Sequence, residues 1–259
     1  MNPRTPPQGA VSPALGRLPG VAHAFFTRAG GTSGGGYASL NCGLHCGDDA
    51  RRVAANRDLA CAHFALKGAS LVTLRQVHGT DVVVVDGEPP GPDIRGDALV
   101  STTPGVLIGV LTADCVPVLI ADAARGVVAA AHAGWRGAAA GVIGATVDAM
   151  ERAGARRGAM RAAIGPAIRQ SSYEVGDDVR EAVTADGGKA SGLFRENGDR
   201  YLFDLPGFAR LLCTEAGIAA IDDIGHDTYR DESRYFSHRR SCHRGEGACG
   251  RQLSAIALV

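Results

Sequence analysis

Residues 98–137 read ALVSTTPGVLIGVLTADCVPVLIADAARGVVAAAHAGWRG. Four short apolar runs lie within this stretch: Ala98–Ser101, Val106–Leu111, Val116–Ala121 and Gly126–Ala131. A strand with one wet face alternates polar and apolar side chains, whereas these runs are apolar throughout, as strands covered on both faces are. The stretch therefore predicts strands buried between layers, joined by tight turns.

Working outward toward the N-terminus, Leu71–Val77 and Val82–Val85 are β-rich, with His78-Gly79-Thr80 as the break between them. Residues 50–66 carry helical spacing through Val53, Leu59, Ala60 and Phe64, with Gly68 as the stop. Val21–Thr27 predicts a strand, followed by the glycine-rich loop Arg28–Tyr37. Residues 1–18, with Pro3, Pro6, Pro7 and Pro13, predict a flexible Pro-rich arm. Toward the C-terminus, a helix is predicted from about Ala138 to Ala153. A strand at Ala162–Ile164 follows, then helices over 177–185 and 205–216, the latter with Pro206 in its first turn. A glycine- and arginine-rich loop beyond Arg234–Arg240 leads to a last strand, Leu253–Val259. With no repeat and no long interior linker, the expectation is one mixed α/β domain over 19–259.

The composition narrows the function. Lys plus Arg (27) balance Asp plus Glu (27), so no overall field draws the chain to nucleic acid or to an anionic membrane. An apolar span is interrupted at its best candidate, Val106–Ala121, by Asp114 and Pro117. No secretory signal stands out in residues 1–20. Seven cysteines at irregular spacing suit reduced thiols, and together these features predict a cytoplasmic protein, monomeric or weakly dimeric.

Three segments share a chemical pattern. Arg75-Gln76-Val77-His78-Gly79, Thr112-Ala113-Asp114-Cys115-Val116 and Ala131-His132-Ala133-Gly134 each set a metal-type ligand at or just past a strand end. If those ends share one rim of a sheet, His78, Cys115 and His132 converge. Two imidazoles and a thiolate from separate elements leave a fourth position for water or substrate, as a catalytic zinc requires. Zinc is the expected ion, with copper second to it. Arg136, placed before the helix at about 138, would seat a phosphate at that helix N-terminus. Arg28 and the pair Arg239-Arg240 are further anion candidates. Asp114 is the carboxylate nearest the ligands in sequence and the candidate for moving a proton.

The segments RQVHG, TADCVPV and AHAGWRG resemble the hallmark motifs of the laccase-domain, or multicopper polyphenol oxidase-like, family. The likeness extends through Phe26-Thr27-Arg28, Leu40-Asn41-Cys42-Gly43-Leu44-His45, Ile164-Gly165-Pro166, Tyr173-Glu174-Val175-Gly176 and Phe236-Ser237-His238-Arg239-Arg240, over roughly residues 21 to 259. The resemblance implies an α-β-β-α type fold and a zinc held by His78, Cys115 and His132. It also implies phosphorolysis of adenosine, inosine, guanosine and methylthioadenosine, with adenosine deamination as a second activity. Through the matching motifs, Asn41 and Gln76 join Arg28, Arg136, Arg239 and Arg240 as expected substrate-binding residues. Some relatives are linked instead to editing of peptidoglycan precursors, an amide hydrolysis at the same pocket.

The tail departs from the family pattern, since Ser241–Cys249 separates Arg240 from Gly250 and Asp227-Thr228 replaces a Cys-Thr pair. Cys242, His243 and Cys249 in that insertion, and Cys42 with Cys46 around His45, are rival ligand groups. A multicopper oxidase would need paired His-x-His ligands, and none of the eight histidines forms such a pair. A cysteine hydrolase with Cys115 as nucleophile and a histidine as base is the chemical alternative.

Overall fold

The computed structural model describes residues 6–64, 66, 70–87, 91, 93–185 and 187–259. Two sheets lie at its centre. One has five strands in the order β1 (Gly9–Ala10), β2 (Val21–Phe26), β14 (Gln252–Leu258), β6 (Leu107–Thr112) and β3 (Leu71–Val72). The other has six, in the order β13 (Ala220–Asp223), β9 (Arg161–Ile164), β7 (Val116–Asp122), β8 (Val127–Ala133), β5 (Ala98–Ser101) and β4 (Val82–Val85). A separate three-stranded sheet joins β10 (Glu174–Val175), β12 (Arg200–Phe203) and β11 (Phe194–Asn197).

The period of two along each strand sorts side chains into layers. In β7 and β8, Val118, Ile120, Ala129 and Ala131 face a helical layer, while Leu119, Ala121, Val128 and Ala130 face the other sheet. Across that inter-sheet core stand Phe25, Ile108, Val110 and Ile256 of the five-stranded sheet. Its outer face, with Ala24, Phe26, Leu107 and Ala255, is covered by α2 (Ala50–His63). The helical layer on the six-stranded sheet holds α3 (Trp135–Ala140), α4 (Val142–Arg152), α5 (Asp177–Thr184) and α6 (Leu205–Glu215). Helix, sheet, sheet and helix thus form the expected α-β-β-α order. The all-apolar runs are explained by it, because every central strand is buried on both sides.

Several expectations change. The segment expected as a flexible arm is built into the fold from Gly9 onward. Gly9 and Ala10 pair with Phe26 and Phe25, and α1 (Pro13–Gly16) packs Leu15 into the inter-sheet core. The Ser12 hydroxyl caps α1 and also donates to Asp222 at 2.7 Å. The helix expected over 138–153 is two helices, because Gly141 turns left-handed at φ 99 and ends α3 before α4 begins. The first helix stops at His63, and its expected stop, Gly68, lies outside the described residues. Of Leu71–Val77 only Leu71 and Val72 pair as strand. Part of the segment taken as loop is α7 (His238–His243), capped by Ser237.

Candidate metal centre and cleft

The chain changes sheets between β6 and β7, and the step Ala113-Asp114-Cys115 bridges the gap with Asp114 at φ 97. Cys115 therefore stands between the sheets rather than on the rim of one. His132 stands at a strand end, one residue before the last of β8. It lies within β8, on the same parity as Val128 and Ala130, so its ring enters the inter-sheet space. His78 lies on the irregular chain after β3 that crosses to β4 of the other sheet. There the Gln76 amide continues the strand's pairing, donating to the Leu111 carbonyl and accepting from the Leu111 amide, both at 2.8 Å.

The three side chains converge. One ligand atom from each of His78, Cys115 and His132 lies within 4.8 Å of the others. Cys115 Sγ is 3.8 Å from His78 Nε2, and the two imidazoles meet edge to face with centroids 4.8 Å apart. His132 is buried, whereas His78 is exposed, so the group opens to one side. Gly134 lets the three approach, since its backbone passes beside both His78 and Cys115.

The electrostatics favour a thiolate. Burial by itself would raise the Cys115 thiol, but the neighbouring imidazoles, His132 foremost, outweigh it and hold it down to about 6. Burial would likewise lower His132, and the Cys115 sulfur and the Asp97 carboxylate instead bring it up to about 9. Two imidazole nitrogens and a thiolate within this span match the donor set and spacing of a zinc site with an open position. The rival groups do not assemble: among the described residues, this is the one cluster of three or more such side chains placed to hold an ion.

Sequence reasoning missed Asp97. Its carboxylate is fully buried and lies 2.8 Å from His132 Nδ1, which leaves Nε2 of that ring for a ligand. The available signal was an acidic residue directly before a buried strand, Asp97 preceding Ala98-Leu99-Val100.

His78, Cys115 and His132 line a cleft of about 500 Å³ that also meets Leu44, His45, Gln76, Arg136, His238 and Arg251. Such a volume suits a small organic ligand. Arg136 lies in the first turn of α3, not ahead of it. Its guanidinium stacks 4.2 Å from the Trp135 ring, and no carboxylate pairs with it among the described residues.

The other candidates are engaged elsewhere. Arg28 lines a second cavity of about 430 Å³, lying over Phe236 and donating to the Ala38 carbonyl. Arg240 is buried and donates to the carbonyls of Thr228, Tyr229 and Tyr235. Arg239 lies over Tyr173 and donates to the Glu174 carbonyl. Asn41 spends its side chain on Asp48 and on the amides of Gly43 and Arg251. Asp114 accepts from the Thr228 hydroxyl and the Arg239 amide, both at 2.7 Å, and so anchors the C-terminal segment.

The profile of the family described as "Multi-copper polyphenol oxidoreductase laccase" matches residues 22–259. The purine nucleoside phosphorylase YfiH of Escherichia coli strain K12 is 42% identical over 240 residues, covering 93% of this chain and 95% of its own. The crystal structure of Neisseria meningitidis protein NMB0706 superposes with a TM-score of 0.86 at 37% identity, covering 98% of this chain and 99% of its own. That of YlmD from Geobacillus stearothermophilus gives 0.89 at 32% identity, covering 100% and 98%.

Proposed function

Because the chain belongs to the multicopper polyphenol oxidoreductase laccase family, whose relative in Escherichia coli is named a purine nucleoside phosphorylase, we propose that it cleaves purine nucleosides with phosphate at the His78–Cys115–His132 centre. The observation that carries this reading is one cleft holding both that centre and Arg136, a guanidinium with no carboxylate partner among the described residues. Residues 19–259 act in it as one catalytic domain. Adenosine, inosine, guanosine and methylthioadenosine are the substrates, and deamination of adenosine is a second reaction of the same cleft.

Arg136 holds the attacking phosphate by charge-assisted hydrogen bonds, with His45, Arg75, His238 and Arg251 as further basic groups on the cleft. As the bond from sugar to base breaks, positive charge grows on the ribose and negative charge on the purine, so preorganised dipoles and cations at the base lower the barrier. Leu44 supplies apolar surface for the base. His78, Cys115 and His132 would hold zinc, which when bound supplies a Lewis acid and an acidified water for the deamination. Asp97 keeps His132 in the tautomer that leaves Nε2 open. Asp114, with both oxygens engaged, positions the tail rather than moving a proton.

A second reading is favoured by one alignment. Cys115, His132 and Asp97 lie in the order nucleophile, base and orienting carboxylate. In a metal-free centre that arrangement suits amide hydrolysis, as in editing of peptidoglycan precursors.

The purified full-length protein, analysed for metal, is incubated with adenosine in the presence and absence of phosphate, beside Cys115→Ala. Phosphate-dependent release of adenine and ribose 1-phosphate, lost in the variant, is the expected result. Absence of turnover of all four nucleosides overturns the proposal, and a protein that then holds no metal promotes the hydrolase reading.

A further inference from the structure

Two of the three converging residues depend on a single carboxylate. Oδ1 of Asp97 accepts from His132 Nδ1 at 2.8 Å and from the His78 amide at 2.9 Å. Oδ2 accepts from the amides of Val77 at 3.2 Å and Gly79 at 2.7 Å. The Asp97 carbonyl also accepts from the His132 amide at 2.7 Å, which locks the base of β5 to β8.

Three successive amides, Val77 to Gly79, thus wrap one anion, the arrangement of a backbone nest. The nest exists because His78 takes φ 60, a left-handed conformation that a residue with a side chain adopts only where its surroundings compensate. The compensation here is the carboxylate. The Gln76 side chain is spent on Leu111 and does not reach these amides.

We infer that Asp97 is the positioning residue of the centre: its carboxylate templates the left-handed turn that presents His78 and, through the same oxygen, orients the ring of His132. The inference rests on reading the three side chains as metal ligands, yet the template itself is a property of the chain without metal. Asp97 is fully buried and does not line the cleft. It acts by setting the distance and direction of two imidazoles, one on β8 and one on the chain that crosses between the sheets.

Asp97→Asn tests it, because an amide has one accepting oxygen and one donating nitrogen. Whichever way it turns, two of the four donors face an NH₂ group. Two readouts are made on the full-length protein stripped of metal. In a cobalt(II) titration, the thiolate-to-cobalt absorption reports Cys115, and affinity is expected to fall about 10–100-fold in the variant. In amide hydrogen exchange without metal, Val77, His78 and Gly79 are expected to exchange faster while β7 and β8 keep their protection. Asp97→Glu, which retains the charge, is expected to recover part of both, and it carries the test if Asp97→Asn does not fold.

Unchanged cobalt affinity together with unchanged exchange at the three amides overturns the inference. A wild-type protein that takes up no cobalt, but whose three amides are released by Asp97→Asn, removes the metal reading and leaves the template standing.

Discussion

Gly134 and His78 are packed so closely that a methyl group on the glycine would lie 2.7 Å from the imidazole Cδ2. The same methyl would stand 3.1 Å from Cys115 Sγ. Gly134 has φ −70 and ψ 159, which alanine adopts freely, so the cost of Gly134→Ala is steric and confined to the centre. The variant is expected to fold with a melting temperature near that of the wild type. Its zinc affinity and its nucleoside turnover should each fall by about tenfold or more. Metal analysis after dialysis and a thermal melt check this together; full zinc occupancy would show that the glycine matters for some other reason.

Two arginines that look alike in sequence should behave differently. Arg136 faces the cleft, so Arg136→Ala should raise the KM for phosphate by about tenfold or more with little change in stability. Arg240 closes on three main-chain carbonyls, and its removal strands them in a buried place. Arg240→Ala should cost about 2–4 kcal/mol of unfolding free energy in urea. Equal effects of both variants on KM, with neither destabilised, would contradict the assignment.

Asp114→Asn separates anchoring from catalysis. Asparagine tolerates the left-handed conformation at this position, so backbone strain does not confuse the result. The amide leaves one donor, the Thr228 hydroxyl or the Arg239 amide, without an acceptor, at about 1–3 kcal/mol. The pH–rate profile should keep its shape. Loss of one limb of that profile would make Asp114 an acid or base in the reaction.

His23 supplies a pH dependence to the stability. Its Nε2 accepts the Ser12 amide at 2.8 Å, and burial pushes the imidazole down to about 4. The unfolded chain takes up a proton near pH ~6.5 that the folded chain refuses, so stability is complete above that pH and declines as the pH falls toward about 4. The whole effect is of order 3 kcal/mol, and about 2 kcal/mol of it should be lost by pH ~5. His23→Gln keeps an acceptor without the titration, and urea unfolding at about pH 7.5 and 5 should show a flatter dependence in it. Equal slopes would place the acid sensitivity elsewhere.

The three ligands were legible because each sits in a short segment with small neighbours, after an apolar run that only a buried strand explains. Asp97 was not, since its partners lie far along the chain at His78 and His132 and its place before a buried strand says nothing of which groups it holds. The arm at Gly9–Ala10 looked loose because its order comes from pairing with Phe25 and Phe26, a long-range contact that overrides local proline content. β13 escaped because an edge strand tolerates acidic residues, here Asp222 and Asp223, which a central strand would not. Arg240 was legible as a cation but not as a clamp. Its three acceptors are carbonyls, and carbonyls leave no mark in a sequence.

Cys115 stands on the step from β6 to β7, and His78 on the chain that crosses from β3 of one sheet to β4 of the other, so an ion held by these two and His132 would work as a rivet through both crossings. Whatever binds the folded chain alone adds its binding free energy to the fold, about 4 kcal/mol when the free ion is a thousandfold above its dissociation constant. Starvation for the ion would then be felt twice, as lost chemistry and as two crossings free to part.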